Sequence, residues 1–252
     1  MRYLTLFIPL LILLIACNEP VDPNNAGYIT MLGSDTLAVE KFEKRPDGIS
    51  AKVILRSPKT NLTSYELTTN TSGGIQDLKY FKHSPESGFS EAGTLSRSYT
   101  KDGDSLRIEI GIDSDNKRRT TIAYQEGVLP FIDMVHWPFE IAFNNASATT
   151  ADSTDQVLLS GTRPSIFIVA KIDADSMTIR HPFRGVMGSN VDENGNIQSL
   201  EASQTTRKLI VKRSNDIDIN AIASRFVEAD KKGNAFGSLS GAEEKEFMID
   251  GA

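Results

Sequence analysis

The chain has 252 residues, a formal net charge of −6 and 39% hydrophobic residues. This is the composition of an ordinary globular protein, which excludes a collagen-like rod and a disordered acidic tail. The negative charge argues against nucleic acid as the main partner, because there is no net positive field to displace counterions from phosphates. A chain of this length can bury one large core or two small ones.

Residues 1–16 are predicted to be an export leader. Arg2 supplies a positive start, and thirteen of the sixteen residues are apolar. The segment runs into Leu-Ile-Ala-Cys at residues 14–17, which resembles the bacterial lipobox. In lipoproteins the cysteine of this motif becomes the new N-terminus and carries acyl chains, so the resemblance implies lipidation of Cys17 and a membrane partner. A secretory signal with an incidental cysteine and an uncleaved membrane helix are the alternatives.

The single cysteine of the chain fits an anchor, because no second cysteine is present to form a disulfide. Residues 17–26 are polar and contain two prolines, which predicts a short extended tether. The folded body should begin near Gly27. We therefore expect a membrane-anchored lipoprotein of the cell envelope. The outer membrane is the expected location, with the periplasmic or surface side left open.

Residues 27–213 are predicted to form an antiparallel β domain. Runs of five to nine residues rich in Val, Ile, Thr, Tyr and Phe alternate with turn residues at intervals of about ten. In the run of residues 105–110 apolar and polar side chains alternate, as in a strand with one buried face. The predicted fold class is all-β and mainly antiparallel: a large curved sheet or half-open barrel with one C-terminal helix.

An apolar stretch, residues 127–143, interrupts this pattern. It contains the only tryptophan of the chain, and its two prolines argue against one continuous strand or a long helix. One interpretation is a loop or short helix that covers the mouth of the sheet, with an apolar or acyl ligand bound by Phe131, Met134, Trp137 and Phe139. The other is that the stretch simply closes the core.

Residues 214–252 are predicted to be a C-terminal helix and tail. Asp218 is a suitable N-cap, Ile222 and Phe226 lie on one apolar stripe, and Gly233 is a plausible residue after the helix end. The stripe is expected to pack against the sheet, with a link to something beyond the helix as the alternative.

Motifs for catalysis are absent from the sequence. His136 and Asp133 could share a helical turn, but no HExxH or HxH spacing occurs among the three histidines. Neither a GxSxG elbow nor a glycine-rich phosphate loop is present. We predict no catalytic residue, no metal site and no cofactor.

Three segments carry a resemblance to a known group of proteins: residues 28–40, residues 129–132 and the turn at 191–198. With the helix at 218–230 and a Gly-Ser-Leu-Ser turn at 237–240, they resemble uncharacterised exported proteins of Bacteroidetes and Gemmatimonadetes. Longer relatives continue into a further β domain of unknown function, so the resemblance implies that this chain lacks that domain. More distantly, the layout is similar to the half-open barrel of periplasmic lipoprotein carriers, which bind acyl chains.

The leading hypothesis is a lipid-anchored envelope protein that holds an apolar or acyl ligand in a curved sheet. A structural or assembly lipoprotein that binds a protein partner is the second hypothesis. A hydrolase that uses His136 and Asp133 is the third.

Overall fold

The computed structural model describes residues 24–56, 58–205 and 207–233. The predicted leader, Cys17, most of the predicted tether and the tail from residue 234 onward lie outside these ranges. The strands and helices of the described part are β1 (Asn25–Leu32), β2 (Asp35–Arg45), β3 (Gly48–Arg56), β4 (Thr60–Thr69), β5 (Ile75–His83), β6 (Thr94–Asp102), β7 (Ser105–Ile110), β8 (Arg118–Ala123), β9 (Leu129–Pro130), α1 (Trp137–Ser147), β10 (Ser153–Ser160), β11 (Arg163–Lys171), β12 (Ser176–His181), β13 (Gly185–Val191), β14 (Ile197–Glu201), β15 (Ile210–Ser214) and α2 (Ile219–Lys231).

All fifteen strands belong to one sheet. Its order is β8-β7-β6-β5-β4-β3-β2-β1-β15-β14-β13-β12-β11-β10-β9. The pairs are antiparallel except β9 with β10, and β1 pairs with β15 to join the two halves of the chain. Short hairpins connect most neighbours, because glycine and Asx turns separate the strand-forming runs.

A short segment brings the two edges of this sheet close together. β8 ends at Ala123 and β9 begins at Leu129, although these strands stand at opposite ends of the order. The intervening residues 124–128 can span about 20 Å at most. On the way, the carbonyl of Val128 accepts a hydrogen bond of 2.9 Å from the N–H of Ile75. The sheet therefore curls, but no ladder joins β8 to β9 in the described chain. The prediction of a mainly antiparallel all-β fold, a large curved sheet or half-open barrel, is confirmed as one open sheet.

The inner face of the curled sheet packs around α1. The helix buries Trp137, Phe139 and Phe143 in the same apolar cluster as side chains from both halves of the sheet. Trp137 lies against Tyr65 of β4, with ring centroids 6.1 Å apart, and Phe139 lies 6.1 Å from Phe167 of β11. The helix thus fills the space that the curled sheet encloses.

The other helix, α2, covers part of the outer face. Ile219, Ile222 and Phe226 pack on outward-facing side chains of β2 to β4, including Val39 and Ile54. The predicted C-terminal helix and its apolar stripe are confirmed.

The prediction of a single helix was incomplete, because α1 occupies the second half of the apolar stretch. Buried residues lie on most sides of α1, so the sequence shows no amphipathic stripe. Pro138 lies in the first turn, where a missing N–H breaks no intrahelical bond. The stretch is neither one continuous strand nor one long helix, and its helical part is the short helix that one of the two interpretations allowed.

Candidate functional site

A cleft opens on the inner side of the sheet beneath the cleft loop, which we define as residues 131–136 between β9 and α1. The β12–β13 turn and the segment that joins β14 to β15 form its other walls. Its lining residues are Phe131, Ile132, Asp133, Met134, Val135, His136, Phe139, His181, Arg184, Met187, Ala202, Thr205, Arg207 and Leu209. The floor is mostly apolar and the charged groups stand at the mouth.

Three of the four predicted ligand-binding residues line this cleft: Phe131, Met134 and Phe139. Phe131 packs between Phe139 and Phe167 of β11, and its ring centroid lies 6.2 Å from that of Phe139. Trp137 is not among the lining residues and is fully buried against β4. The structure therefore brings three of these residues together and places Trp137 in the core.

The cleft has a volume of about 30 Å³. That is room for about two water molecules, whereas small-molecule sites usually measure about 300 to 1,000 Å³. A bound acyl chain would require the cleft loop to move outward.

Asp133 fastens the cleft loop to the opposite wall. Its Oδ1 accepts a hydrogen bond of 2.5 Å from Arg184, and its Oδ2 accepts one of 2.6 Å from Arg207. Partial burial alone would raise the pKa of the Asp133 carboxyl, but the hydrogen bonds and charges of the two arginines hold it below its usual value. We call these three residues the Asp133 latch. All three are between 32% and 41% exposed, so solvent and ions can reach them.

Backbone strain accompanies the latch. Met134 has a φ of 61°, in the left-handed region that non-glycine residues seldom occupy. Such a conformation costs on the order of 1 kcal/mol or more and persists only when its surroundings hold it. Because Met134 directly follows Asp133, opening the latch would also allow this strain to relax.

His181 supports the wall opposite the loop. Its ring meets Phe131 and Phe167 edge to face, with centroids 5.3 and 4.8 Å away. Nδ1 accepts a hydrogen bond of 3.0 Å from the backbone N–H of Phe183, so this nitrogen carries no proton in the folded state. Burial, helped by the charge of Arg184, lowers the pKa of the ring. A neutral His181 therefore completes the apolar wall.

The cleft loop ends in a buried polar contact. Both carboxylate oxygens of Glu40, on β2, accept the backbone N–H of His136 at 2.9 Å, and Oε2 also accepts that of Trp137 at 3.2 Å. Nδ1 of His136 lies 3.0 Å from Glu40 and 3.2 Å from Thr30. Glu40 thus caps the start of α1 from a distant strand and places a negative charge at the positive end of the helix dipole.

A second buried carboxylate anchors the middle of α1. Glu140 is fully buried and forms ion pairs of 2.6 Å with Lys44 and with Arg213. It also accepts hydrogen bonds from the Tyr28 hydroxyl and, at 3.1 Å, from the N–H of Ile197. Burial, with the Glu140 charge next in importance, raises the pKa of Tyr28 well above its usual value. None of these residues lines the cleft, and the geometry of the cluster holds α1 in place.

The residues suggested for hydrolysis do not act on each other. Asp133 directs both oxygens at arginines, while His136 is buried against Glu40 and Thr30. Within residues 24–56, 58–205 and 207–233 no group of three potential metal ligands comes together.

The latch arginines and the two buried glutamates were not predicted from the sequence. Each has a partner more than fifty residues away, and charged residues are common throughout the chain. The only local sign of the latch in the sequence was that Asp133 lies among the apolar residues of the cleft loop.

Comparison with known proteins found no matching family and no matching curated protein. Among solved structures, the chain is similar to the crystal structure of a DUF1089-family protein from Pseudomonas aeruginosa. The similarity has a TM-score of 0.42 and 11% sequence identity, and covers 64% of this chain and 88% of that one. None of the helices in the described ranges has the length and apolar character needed to cross a bilayer.

Proposed function

We propose that this protein is a lipid-anchored binding protein of the cell envelope that holds the apolar part of an amphipathic ligand under the cleft loop. The observation that supports this proposal is an apolar cleft beneath a strained loop, which the solvent-accessible Asp133 latch fastens. The acyl chain of the ligand would contact Phe131, Met134 and Phe139. The loop would open when the Asp133 latch is released.

The chemistry of the cleft supports an amphipathic ligand. The floor offers aromatic and aliphatic surface, where each buried methylene contributes about 0.8 kcal/mol. The mouth offers two arginines, whose guanidinium groups suit a carboxylate or phosphate. A ligand with an anionic headgroup would compete with Asp133 for Arg184 and Arg207 and so open the latch as it binds.

The anchor rests on the Leu-Ile-Ala-Cys motif at residues 14–17, and Cys17 lies outside the described residues. Metabolic labelling with palmitate should mark the wild-type protein, and Cys17→Ser should lose the label and the membrane association. A Cys17→Ser protein that stays equally membrane-bound and labelled would contradict the anchor.

The binding function is tested by photolabelling membranes that contain the full chain with a palmitate analogue carrying a diazirine near its end. We expect adducts on peptides that include residues 131–139, and weaker labelling of Phe131→Ala. Asp133→Ala should increase the labelling several-fold, because the loop no longer has its latch. The measurement is peptide mass spectrometry of the purified protein.

Asp113→Ala is the matched control. It removes the same charge and a comparable ion pair, that of Asp113 with Lys82 at 3.0 Å, away from the cleft. Its labelling should equal that of the wild type. Adducts confined to peptides outside the cleft, or no difference between Asp133→Ala and Asp113→Ala, would contradict the proposal.

A second candidate function, an assembly lipoprotein with a protein partner, is favoured by the outer face of β11 to β15. Ile166, Ile168 and Ile210 on this face are 56%, 40% and 36% exposed, whereas α2 covers the corresponding face of β2 to β4. Crosslinking in cells from this face distinguishes the two functions. A single dominant protein adduct would favour assembly, and its absence would leave ligand binding as the better account.

A further inference from the structure

The turn between β12 and β13 carries an aromatic side chain that points into solvent. Phe183 is 83% exposed, the largest value among the exposed large hydrophobic side chains of the described residues. Pro182 beside it is also exposed. An exposed phenylalanine at the tip of a hairpin presents apolar surface that gains free energy when it moves from water into an apolar phase.

Contacts at its base support this tip. The N–H of Phe183 is bound to His181, whose ring is fixed between Phe131 and Phe167. Gly185, with a φ of 107°, lies so close to the β14–β15 segment that a Cβ there would be 2.7 Å from the carbonyl oxygen of Gln204. Phe183 therefore protrudes from a turn whose base is packed against the rest of the protein, and these contacts keep its ring in solvent.

Basic residues lie on the tip hairpin and on the segment it packs against, although the chain as a whole is negative. Arg180 and Arg184 flank it on the hairpin, and Arg207 meets Arg184 through their shared partner Asp133. Lys208 follows and is exposed, with a left-handed φ of 49°. Asp133 is the one carboxylate that Arg184 and Arg207 share, so these three residues together keep a positive charge.

We propose that this tip docks on an anionic phospholipid surface, with Phe183 inserted among the acyl chains. An exposed aromatic side chain next to several basic groups is the combination that binds anionic bilayers, because apolar insertion and attraction to the headgroups act together. Arg184, at the cleft mouth, directly follows Phe183 in the chain, so docking brings the mouth to the bilayer surface. This docking goes beyond the proposed ligand binding and does not depend on it.

The test places a fluorescent reporter at the tip. Full-length protein carrying Phe183→Trp is reconstituted into phosphatidylcholine vesicles with and without phosphatidylglycerol, with brominated lipids as quenchers of tryptophan. Trp137 stays in place as a constant buried background. We expect roughly twofold or more quenching of the reporter when phosphatidylglycerol is present, since the ring enters the upper acyl region.

Ile172→Trp is the matched control. Ile172 is an apolar residue that is 59% exposed, and it lies in the β11–β12 turn, at the other end of β12 from the tip. It should show little quenching. Arg180→Gln combined with Lys208→Gln should reduce quenching of the tip reporter, and neither residue belongs to the latch. Equal quenching at positions 183 and 172, or quenching that does not respond to phosphatidylglycerol or to loss of the two basic residues, would overturn the proposal.

A protein partner at the tip gives a different outcome. The tryptophan at position 183 would then not be quenched by brominated lipids, and crosslinking from the tip would yield an adduct with an envelope protein. That result would also overturn the docking proposal. Photolabelling of the cleft in Asp133→Ala measures ligand binding separately, so failure of one proposal is distinguishable from failure of the other.

Discussion

The two helices of this protein lie on opposite faces of the same curled sheet. α1 lies inside it and buries seven of its eleven residues, a glutamate among them. α2 lies outside it, and its five buried residues are all apolar. An enclosed helix must satisfy every polar group within the protein, whereas a surface helix can leave most of them to water.

The N-terminal ends of the two helices differ in the same way, because one is capped by its own sequence and the other by a distant strand. At α2, the Asp218 side chain accepts the N–H groups of Asn220 at 3.1 Å and Ala221 at 3.0 Å, so the cap comes from the helix's own sequence. At α1, His136 provides no side-chain cap, and Glu40 of β2 takes that role. The inner helix therefore depends on the complete fold, and the outer helix is largely specified locally.

The largest expected effect comes from removing the buried charge on α1. Glu140→Ala leaves Arg213, only 7% exposed, and Lys44 without their common carboxylate, and removes the acceptor of the Tyr28 hydroxyl and the Ile197 N–H. Breaking a buried ion pair on one side costs about 3 to 5 kcal/mol, and we expect a value near the upper end. Urea unfolding followed by Trp137 fluorescence measures it.

Glu140→Gln and Glu66→Ala control this measurement. Glu140→Gln keeps an acceptor and should be less damaging. Glu66 is exposed on β4, and its removal should change the free energy of unfolding by about 0.5 kcal/mol or less. If Glu140→Ala were no more harmful than Glu66→Ala, the inner helix would not depend on this cluster.

The next effect concerns the apolar contact of α2. Phe226 is fully buried against β2 to β4, and the guanidinium of Arg56 lies 4.5 Å from its ring centroid. Phe226→Ala should cost about 3 kcal/mol, the low end for a buried phenylalanine, because a helix on the outer face can shift to reduce the cavity. Hydrogen exchange should show faster opening confined to residues 219–231, before Trp137 fluorescence changes.

Ser224→Ala, on the exposed side of the same helix, is the control for Phe226→Ala. It should leave hydrogen exchange of α2 nearly unchanged. Loss of Trp137 fluorescence in parallel with the opening of α2 would show that the outer helix is as tightly coupled to the core as α1.

The sequence predicted the half-open sheet and α2, because strand periodicity, turn residues, a cap and an apolar stripe are all local. It offered a loop or a short helix within residues 127–143 and did not decide between them, because α1 has no polar face and its cap is supplied by Glu40, 96 residues away. For the cleft, the sequence indicated some of the lining residues and not the others. Aromatic density marked Phe131, Met134 and Phe139, but the contribution of Arg184 and Arg207 depends on how distant turns meet.

The smallest effect tests how local α2 is. Asp218→Ala removes an N-cap and should lower the free energy of unfolding by about 1 kcal/mol, while Asp218→Asn should retain most of the stability because its side chain can still accept both N–H groups. Asp216→Ala removes the same charge two residues earlier, where the side chain is exposed, and serves as the control. Hydrogen exchange at Asn220 and Ala221 reports the cap directly. If Asp216→Ala and Asp218→Ala were equally destabilising, net charge rather than capping would set the start of α2, and its difference from α1 would no longer lie in a locally encoded cap.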